Sequence, residues 1–508
     1  MARSNLHRVD ENRLTIPNDF DVDVSLFANA DVPVEQIAID ELKRMLELQQ
    51  TVEAFAKASP ESFTTSPRIS RVAVTPDFHK AQGIPVGTIL ETSGFVVPQA
   101  IGNDVNCGMR LHLTGLQADQ IVGRIDELET ECRHMFFEAG RRIPMHRSHR
   151  EALLLGGIEG LYETVDTGFD EGLWAHFHRQ SREDTLSRIE RRGSLKADRV
   201  FGLDNYLGDQ RVSRDSQIGS IGGGNHFVEI QRVEKILDGQ VAHAWGIKPG
   251  MVTVMVHTGS VSVGSACGTF YRDKVREIFP ANLRHPGNGI FVLPIGELHQ
   301  ETSAMFWDAM YNAANFAFAN RMFLALMAWS SIEKCVGPTS FDLLYDAPHN
   351  MLWRESTAGG ETIVHRKGAC PARGLSAMQG TPFEYYGEPV LVPGSMGASS
   401  FILAGNGCDG SLNSAAHGAG RAVSRGSAMS GYEKEFEDFL KNFRIVTPVD
   451  LQRQDIKRRK DIVNKKLADL KQEAPFAYKG IGPVINTIRD AGIAKPVAEL
   501  KPIMTVKG

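Results

Sequence analysis

Side chains of the types that bind transition metals stand where apolar runs give way to turns. Asp104 and Cys107 lie three apart in Gly102-Asn-Asp-Val-Asn-Cys-Gly108. On a tight turn both can face one centre. A thiolate beside a carboxylate is unfavourable unless a cation neutralises them. Taken alone, a cysteine in a turn is more often a buried, inert thiol. His226 closes the run Gly222-Gly-Gly-Asn-His226, where the chain re-enters a strand at Phe227–Ile230. Its glycines strip away side chains and let the backbone approach an anion or a metal-bound group. His257 ends the apolar strand Val252–Val256 and opens Thr258-Gly-Ser, and His349 follows Tyr345-Asp-Ala-Pro. Strand ends are where scaffolds present functional groups. A lone histidine at either place is commonly structural. Asp104, Cys107, His226, His257 and His349 together suffice to hold one or two divalent ions. Their N/O/S mixture favours Mn²⁺, Zn²⁺, Fe²⁺ or Co²⁺ over Mg²⁺ or Ca²⁺.

A second cluster suits phosphate. Pro393-Gly-Ser-Met-Gly-Ala-Ser-Ser400 is a run of small residues, including Ser395 and Ser399, with free backbone N–H groups. Ser414-Ala-Ala-His-Gly-Ala-Gly-Arg421 then places His417 next to Gly418 and close to Gly420, leaving the ring sterically open. Arg421 and Arg425 follow at helical spacing, so the pattern predicts one helix face forking onto phosphate oxygens. The plain alternative is a glycine-rich turn with surface arginines.

These residues need positioning elements. The spacing of Ile37, Leu42, Met45, Leu46 and Val52 predicts one amphipathic helix over 33–58, and 118–141 reads similarly. Residues 302–335 predict a long helix, apolar nearly all round and therefore in the core. Short strands are expected at Arg71–Val74, Met251–His257, Gly289–Pro294 and Val390–Pro393. Residues 145–220, with arginines at Arg147–Arg150 and Arg188–Arg192, read as solvated helices and loops, and 431–473 as a charged peripheral helical segment. No βαβ rhythm, fixed-period repeat or Pro/Ser-rich linker is visible, which points to one large α+β unit over 1–508.

Composition bounds the reading. Of 508 residues, 42% are apolar and 23% charged, which excludes wholesale disorder. A net charge of −5 excludes a generally basic nucleic-acid coat but not a local basic site. The 49 glycines exceed ordinary usage of about 7% and imply many tight turns. Six scattered cysteines without a CxxC pair, and an N-terminus without an apolar core, lead to the expectation of a soluble cytoplasmic protein with reduced thiols. The most apolar stretch, Phe316–Trp329, is interrupted by Asn320 and Arg321 and is too short for a membrane span of about 20 residues.

GNDVNCGMRL, GGGNHFVEI, HTGS, HN after an apolar run, HRKGA, PVLVPGSMGASS, HGAGR, EAPFAYK and the tail AGIAKPVAELKPIMTVKG appear in the order seen in RtcB-type RNA ligases, and the chain resembles that family over roughly residues 70–508. The resemblance implies mixed sheets around a central metal and nucleotide pocket. It makes 1–60 an N-terminal extension, 145–220 a family-variable helical region and 474–508 a tail closing a guanine pocket. It implies joining of RNA 2′,3′-cyclic phosphate or 3′-phosphate ends to 5′-hydroxyl ends with GTP and two Mn²⁺. Asp104, Cys107 and His226 then resemble the ligands of one ion, and Cys107, His257 and His349 those of a second. His417 resembles the histidine that takes GMP covalently, and Asn225 a phosphate-contacting residue. Phe227, Glu229, Ser399 and Tyr478 fall where the guanine pocket is expected, and Lys507 matches a C-terminal lysine that reads the base.

Departures keep alternatives open. Val261 follows HTGS where many relatives have an arginine, and Lys80 and Ala81 follow His79 where a glycine is common. RNA affinity is then expected from a focused patch of Arg421, Arg425 and Arg366–Lys367. A 3′-phosphate end-capping or end-healing guanylyltransferase, or a non-catalytic GTP- or RNA-binding paralogue, are the competing readings, and an activating helper protein is a possible partner. The ligand and nucleophile positions that the resemblance implies are all present, which argues against the paralogue.

Overall fold

The computed structural model of the chain describes residues 6–357, 360–423, 425–429 and 431–508; the side chains of 356, 357, 360 and 425 also fall outside the described set. Among the described residues the architecture is α+β, with two large mixed sheets, one of eight strands and one of seven.

The larger sheet runs Phe341–Pro348, Gly108–Gln117, Met251–Thr258, Phe227–Ile236, Ala494–Val506, Ser400–Gly405 and Pro389–Val392, with Arg444–Val446 pairing parallel to Ala494–Val506. Its central strand Met251–Thr258 is buried throughout, and its neighbours carry buried polar side chains, among them Arg110, His112, Glu229 and Gln231. Antiparallel register aligns Phe227 with His257, His257 with Met109, and Pro348 with Gly108. Cys107, His226, His257 and His349 are therefore brought to one end of adjacent strands, although they are scattered along the chain.

The second sheet orders His7–Arg8, Arg13–Thr15, Asp23–Phe27, Arg68–His79, Val86–Ser93, Gly360–Lys367 and Asn350–Thr357. The strands at 7–27 make the first part of the chain integral to this sheet. A short ladder, Ala369–Pro371 with Ser414–Ala416, sets Ala369 opposite Ala416, immediately before His417.

The helix Gln300–Val336 bears out the long buried element. Its Phe, Leu, Met and Ala side chains fill the core at full burial, worth about 1.5–3 kcal/mol for each large one. It is not uniformly apolar: Asn312, Asn315, Asn320 and Arg321 are also fully buried. Among the described residues no helix is long and apolar enough to cross a membrane.

Several expected elements differ. The helix over 33–58 is two, Gln36–Leu46 and Leu48–Ala58, meeting at Glu47, and Ile37 is 51% exposed. The segment 118–141 divides at Gly123–Arg124 into Ala118–Val122 and Ile125–Phe137. Of Gly289–Pro294 only Leu293–Pro294 pairs, with Phe95–Val96. The region 145–220 is not merely solvated: Leu153, Leu154, Ile158, Leu161, Trp174 and Phe177 belong to the main core, and Arg150 is buried against Asp215 at 2.8 Å. The helix Arg147–Thr164 is kinked at Gly157 (φ 65), so its apolar residues follow no single helical period. Within 431–473, helices Glu433–Asn442 and Lys460–Gln472 accompany a strand that joins the large sheet.

Candidate metal and nucleotide site

A cleft of about 280 Å³ opens where the two sheets meet. Asp104, Cys107, His226, His257 and His349 line it. One ligand atom from each of Asp104, Cys107 and His226 lies within 4.8 Å of the other two, and the same holds for Cys107, His257 and His349. The Cys107 Sγ is 3.3 Å from His226 Nε2 and 3.4 Å from His257 Nε2, and His257 Nε2 is 3.3 Å from His349 Nε2. His226 Nε2 is 2.9 Å from Asp104 Oδ2.

Tautomers follow from the outer hydrogen bonds. His226 Nδ1 faces the Ile221 carbonyl at 3.0 Å and His257 Nδ1 faces the Asn225 carbonyl at 3.1 Å. Each Nδ1–H donates outward, which turns the Nε2 lone pair toward the centre. Burial pushes the His257 and His349 pKa values well below the ordinary range, keeping both neutral. Burial, with the Asp104 charge, pushes the Cys107 thiol well up. For Asp104, burial raises the pKa, but His226 beside it, with the hydrogen bond from the Val261 N–H, outweighs burial and holds the carboxyl below its ordinary range. Imidazole nitrogens, a carboxylate and a thiol converging at such spacing fit one or two transition-metal cations, whose binding would cost the thiol its proton.

His417 stands beside this set, its ring centroid 4.6 Å from that of His349. Its Nδ1 is 2.6 Å from Asp77 Oδ2, and Thr75 donates to the other carboxylate oxygen. Asp77 is fully buried. Burial alone would raise its pKa, but His417 beside it holds the carboxyl below its ordinary range. The ionised carboxylate accepts the Nδ1–H, leaving the Nε2 lone pair available on a ring that lines the cleft. Two glycines make this approach possible. A Cβ on Gly368 (φ +67) would meet Val86 at 2.3 Å and His417 at 3.1 Å; one on Gly420 (φ +74) would meet the Asp77 carbonyl at 2.4 Å.

The remaining sequence candidates divide. Asn225, Phe227, Ser395, Gly418, Gly420, Arg421, Tyr478 and Lys507 line the cleft. Lys507 Nζ donates to the Gly224 carbonyl and, at 2.8 Å, to that of His226. Glu229 and Ser399 do not line it. Glu229 accepts from Thr505 at 2.5 Å and Gln231 at 2.7 Å, and burial pushes its pKa up to about 7. Ser399 donates to Glu499 at 2.7 Å. Arg421 and Arg425 do not share a helix: 417–423 is irregular, the helix is Arg425–Met429, and the Arg425 side chain lies outside the described residues. Arg421 instead lies over the Tyr478 ring at 5.0 Å and donates to the Gln472 carbonyl at 2.9 Å. Arg366 is buried, donating to Ser414 at 2.8 Å and the Leu412 carbonyl at 3.2 Å, so it is not part of a surface patch. Lys367 lines the cleft, and burial lowers its pKa to about 8.

The sequence assigned no site role to Asp77, His79 or Glu473, all at the cleft or directly behind it. The only available signal for Asp77 was an acid two residues before the noted His79. The Lys80–Ala81 departure is accommodated by Glu41, which accepts from the Ala81 and Gly83 N–H groups at 2.8 and 2.9 Å. Val261 adopts φ 49, unusual for a β-branched residue, and its N–H donates to Asp104 Oδ1 at 2.9 Å.

Fold and cleft together set two groups of potential metal ligands beside a histidine held by a buried carboxylate. The sequence profile of the family described as tRNA-splicing ligase RtcB matches residues 61–508. The tRNA-splicing ligase RtcB of Thermococcus kodakarensis is 31% identical over 530 residues, covering 99% of each chain. That of Archaeoglobus fulgidus is 31% identical over 91% of this chain and 92% of its own, and that of Methanococcus maripaludis 30% identical over 85% and 87%. The chain belongs to the RtcB family, and this membership supports an RNA-ligase function.

Proposed function

We propose that the chain joins RNA 3′-phosphate or 2′,3′-cyclic phosphate ends to 5′-hydroxyl ends, using GTP and two Mn²⁺. The observation that carries this reading is His417, held by Asp77 and with its ring centroid 4.6 Å from that of the candidate ligand His349. Asp104, Cys107 and His226 would hold one ion; Cys107, His257 and His349 would hold the other. Such cations, when bound, offset phosphate charge and favour in-line displacement.

His417 Nε2 attacks the GTP α-phosphorus. An N–P bond forms as the bond to pyrophosphate breaks, and Asp77 stabilises the charge that develops on the ring. A cyclic RNA end is hydrolysed to a 3′-phosphate beforehand. The RNA 3′-phosphate then takes GMP from the histidine, which turns a poor electrophile into one with a good leaving group. The 5′-hydroxyl displaces GMP and closes the phosphodiester. Phe227, Tyr478, Ser395 and Lys507 border the space for the nucleoside, and Asn225, Gly418, Gly420 and Arg421 that for phosphates. Glu229 and Ser399 act from behind that wall.

The test is incubation with α-labelled GTP and Mn²⁺, then ligation of 3′-phosphate and 5′-hydroxyl oligonucleotides. Wild type becomes labelled and ligates; folded His417→Ala does neither. Label on that variant rejects the nucleophile. Capped but unjoined 3′ ends establish the end-capping reading instead. No adduct on wild type, with or without an added helper protein, leaves the binding paralogue.

A further inference from the structure

We propose that Asn320 and Arg321, inside the long helix Gln300–Val336, are positioning residues that hold the turns carrying four cation ligands in one preformed arrangement. The proposal rests on the metal reading of the cleft. Both side chains are fully buried, and neither lines the cleft.

Arg321 makes full use of its guanidinium. Its Nη1 donates to the carbonyls of Asn106 at 2.6 Å and Thr258 at 3.1 Å. Those residues adjoin Cys107 and His257. Its Nη2 donates to Asn106 Oδ1 at 3.1 Å, and Nε and Nη2 both meet Asp346 Oδ1 at 2.9 Å. Asp346 stands three residues before His349 and is shared with Arg110 at 3.0 Å. Asn320 governs the fourth turn. Its Oδ1 accepts from the N–H groups of Gly219 at 2.8 Å and Ser220 at 3.0 Å, at the root of the loop leading to His226. Its Nδ2 donates to the carbonyls of Ser220 at 2.9 Å and Gly259 at 3.1 Å. Adjacent positions on one rigid helix thus fix the turns around Cys107, His226, His257 and His349. A lysine keeps the charge at 321 but cannot reproduce the planar fork. The helix supplies an internal control: Asn315, equally buried, accepts from the Leu195 N–H at 2.8 Å and donates to the carbonyls of Leu154 and Leu195 at 3.0 and 2.7 Å, away from any ligand turn.

The experiment is Co²⁺ titration of the metal-stripped full chain, read by thiolate-to-cobalt charge transfer and ligand-field absorption. Asn320→Ala and Arg321→Lys are expected to weaken Co²⁺ binding by about 10-fold or more, the range seen when supports of metal ligands are removed, and to change the ligand-field bands. Asn315→Ala is expected to lower the melting temperature as Asn320→Ala does, yet bind Co²⁺ as wild type. If Asn320→Ala and Asn315→Ala give the same affinity and spectrum, the proposal is overturned. Should Arg321→Lys not fold, the two alanine variants decide. Wild type that takes up no Co²⁺ refutes the metal reading itself, a different outcome from wild-type-like binding by the variants.

Discussion

His417 has one ring nitrogen committed to Asp77 and the other available. That division gives the sharpest residue-scale expectation. Asp77→Asn preserves shape but no longer fixes the tautomer or stabilises a positive ring, so GTP labelling should slow by roughly 10²–10⁴-fold, the range for an acid–base partner. Rapid-quench labelling measures it; a rate within a few-fold of wild type would remove Asp77 from the mechanism. Cys107→Ala takes away the sulfur common to both ligand sets, and elemental analysis should find the purified variant depleted of both ions rather than one. Lys507→Ala should narrow the preference for GTP over ATP in the labelling assay, and an unchanged ratio would exclude the lysine from base reading. The candidate ligands were legible in sequence because each stands at or near a strand end with glycine or another small residue nearby. Asp77 was not, because it meets His417 from 340 residues away and nothing local marks the pairing. Arg366 misled for the converse reason: its charge suggested a surface, while Ser414 and the Leu412 carbonyl hold it inside.

Elements bring these residues together through register. In the eight-stranded sheet a one-residue slip would send alternate side chains to the opposite face, so the alignment of His257 with Phe227 and Met109 determines whether the ligands converge. The turn at Gly368 is similarly constrained. Gly368→Ala should destabilise the chain by about 1–3 kcal/mol through left-handed strain and displace the His417 ring. Urea unfolding reads the first effect and labelling the second; wild-type values in both would show that the turn tolerates a side chain. The long helix was legible because its apolar run is unbroken by glycine or proline. The helix Arg147–Thr164 was not, because Gly157 redirects its axis and scrambles the periodicity. Arg421 failed as a helical residue because Gly418 and Gly420 leave the segment after His417 irregular, whereas spacing alone had suggested a helix.

At the scale of the molecule, burial sets acid sensitivity. His365 is fully buried, with Nδ1 at the Leu90 carbonyl and Nε2 accepting from the Val97 N–H, and burial lowers its pKa to about 4. The unfolded chain, with an ordinary histidine near 6.5, then binds the proton more readily. As pH falls from 6.5 toward 4, this group removes stability by roughly 1.4 kcal/mol per pH unit. His365→Gln should lose less stability than wild type between pH 7 and pH 4.5, measured by urea midpoints; equal losses would assign the effect to other buried histidines. The α+β class was legible from patterning and the mixed sheets from the family resemblance, but the order of strands was not, since neighbours such as Phe227–Ile236 and Ala494–Val506 are joined only by folding.

That last pairing has a consequence for biosynthesis. Ala494–Val506 lies between Phe227–Ile236 and Ser400–Gly405, so the segment that leaves the ribosome after all the other strands is the one that unites the two halves of the large sheet. Until it emerges, both partners present bare edges, the form of nascent chain most prone to wrong association and most in need of a chaperone. Translation stalled before residue 494 would therefore release a chain whose two half-sheets are not joined and whose cleft lacks Lys507.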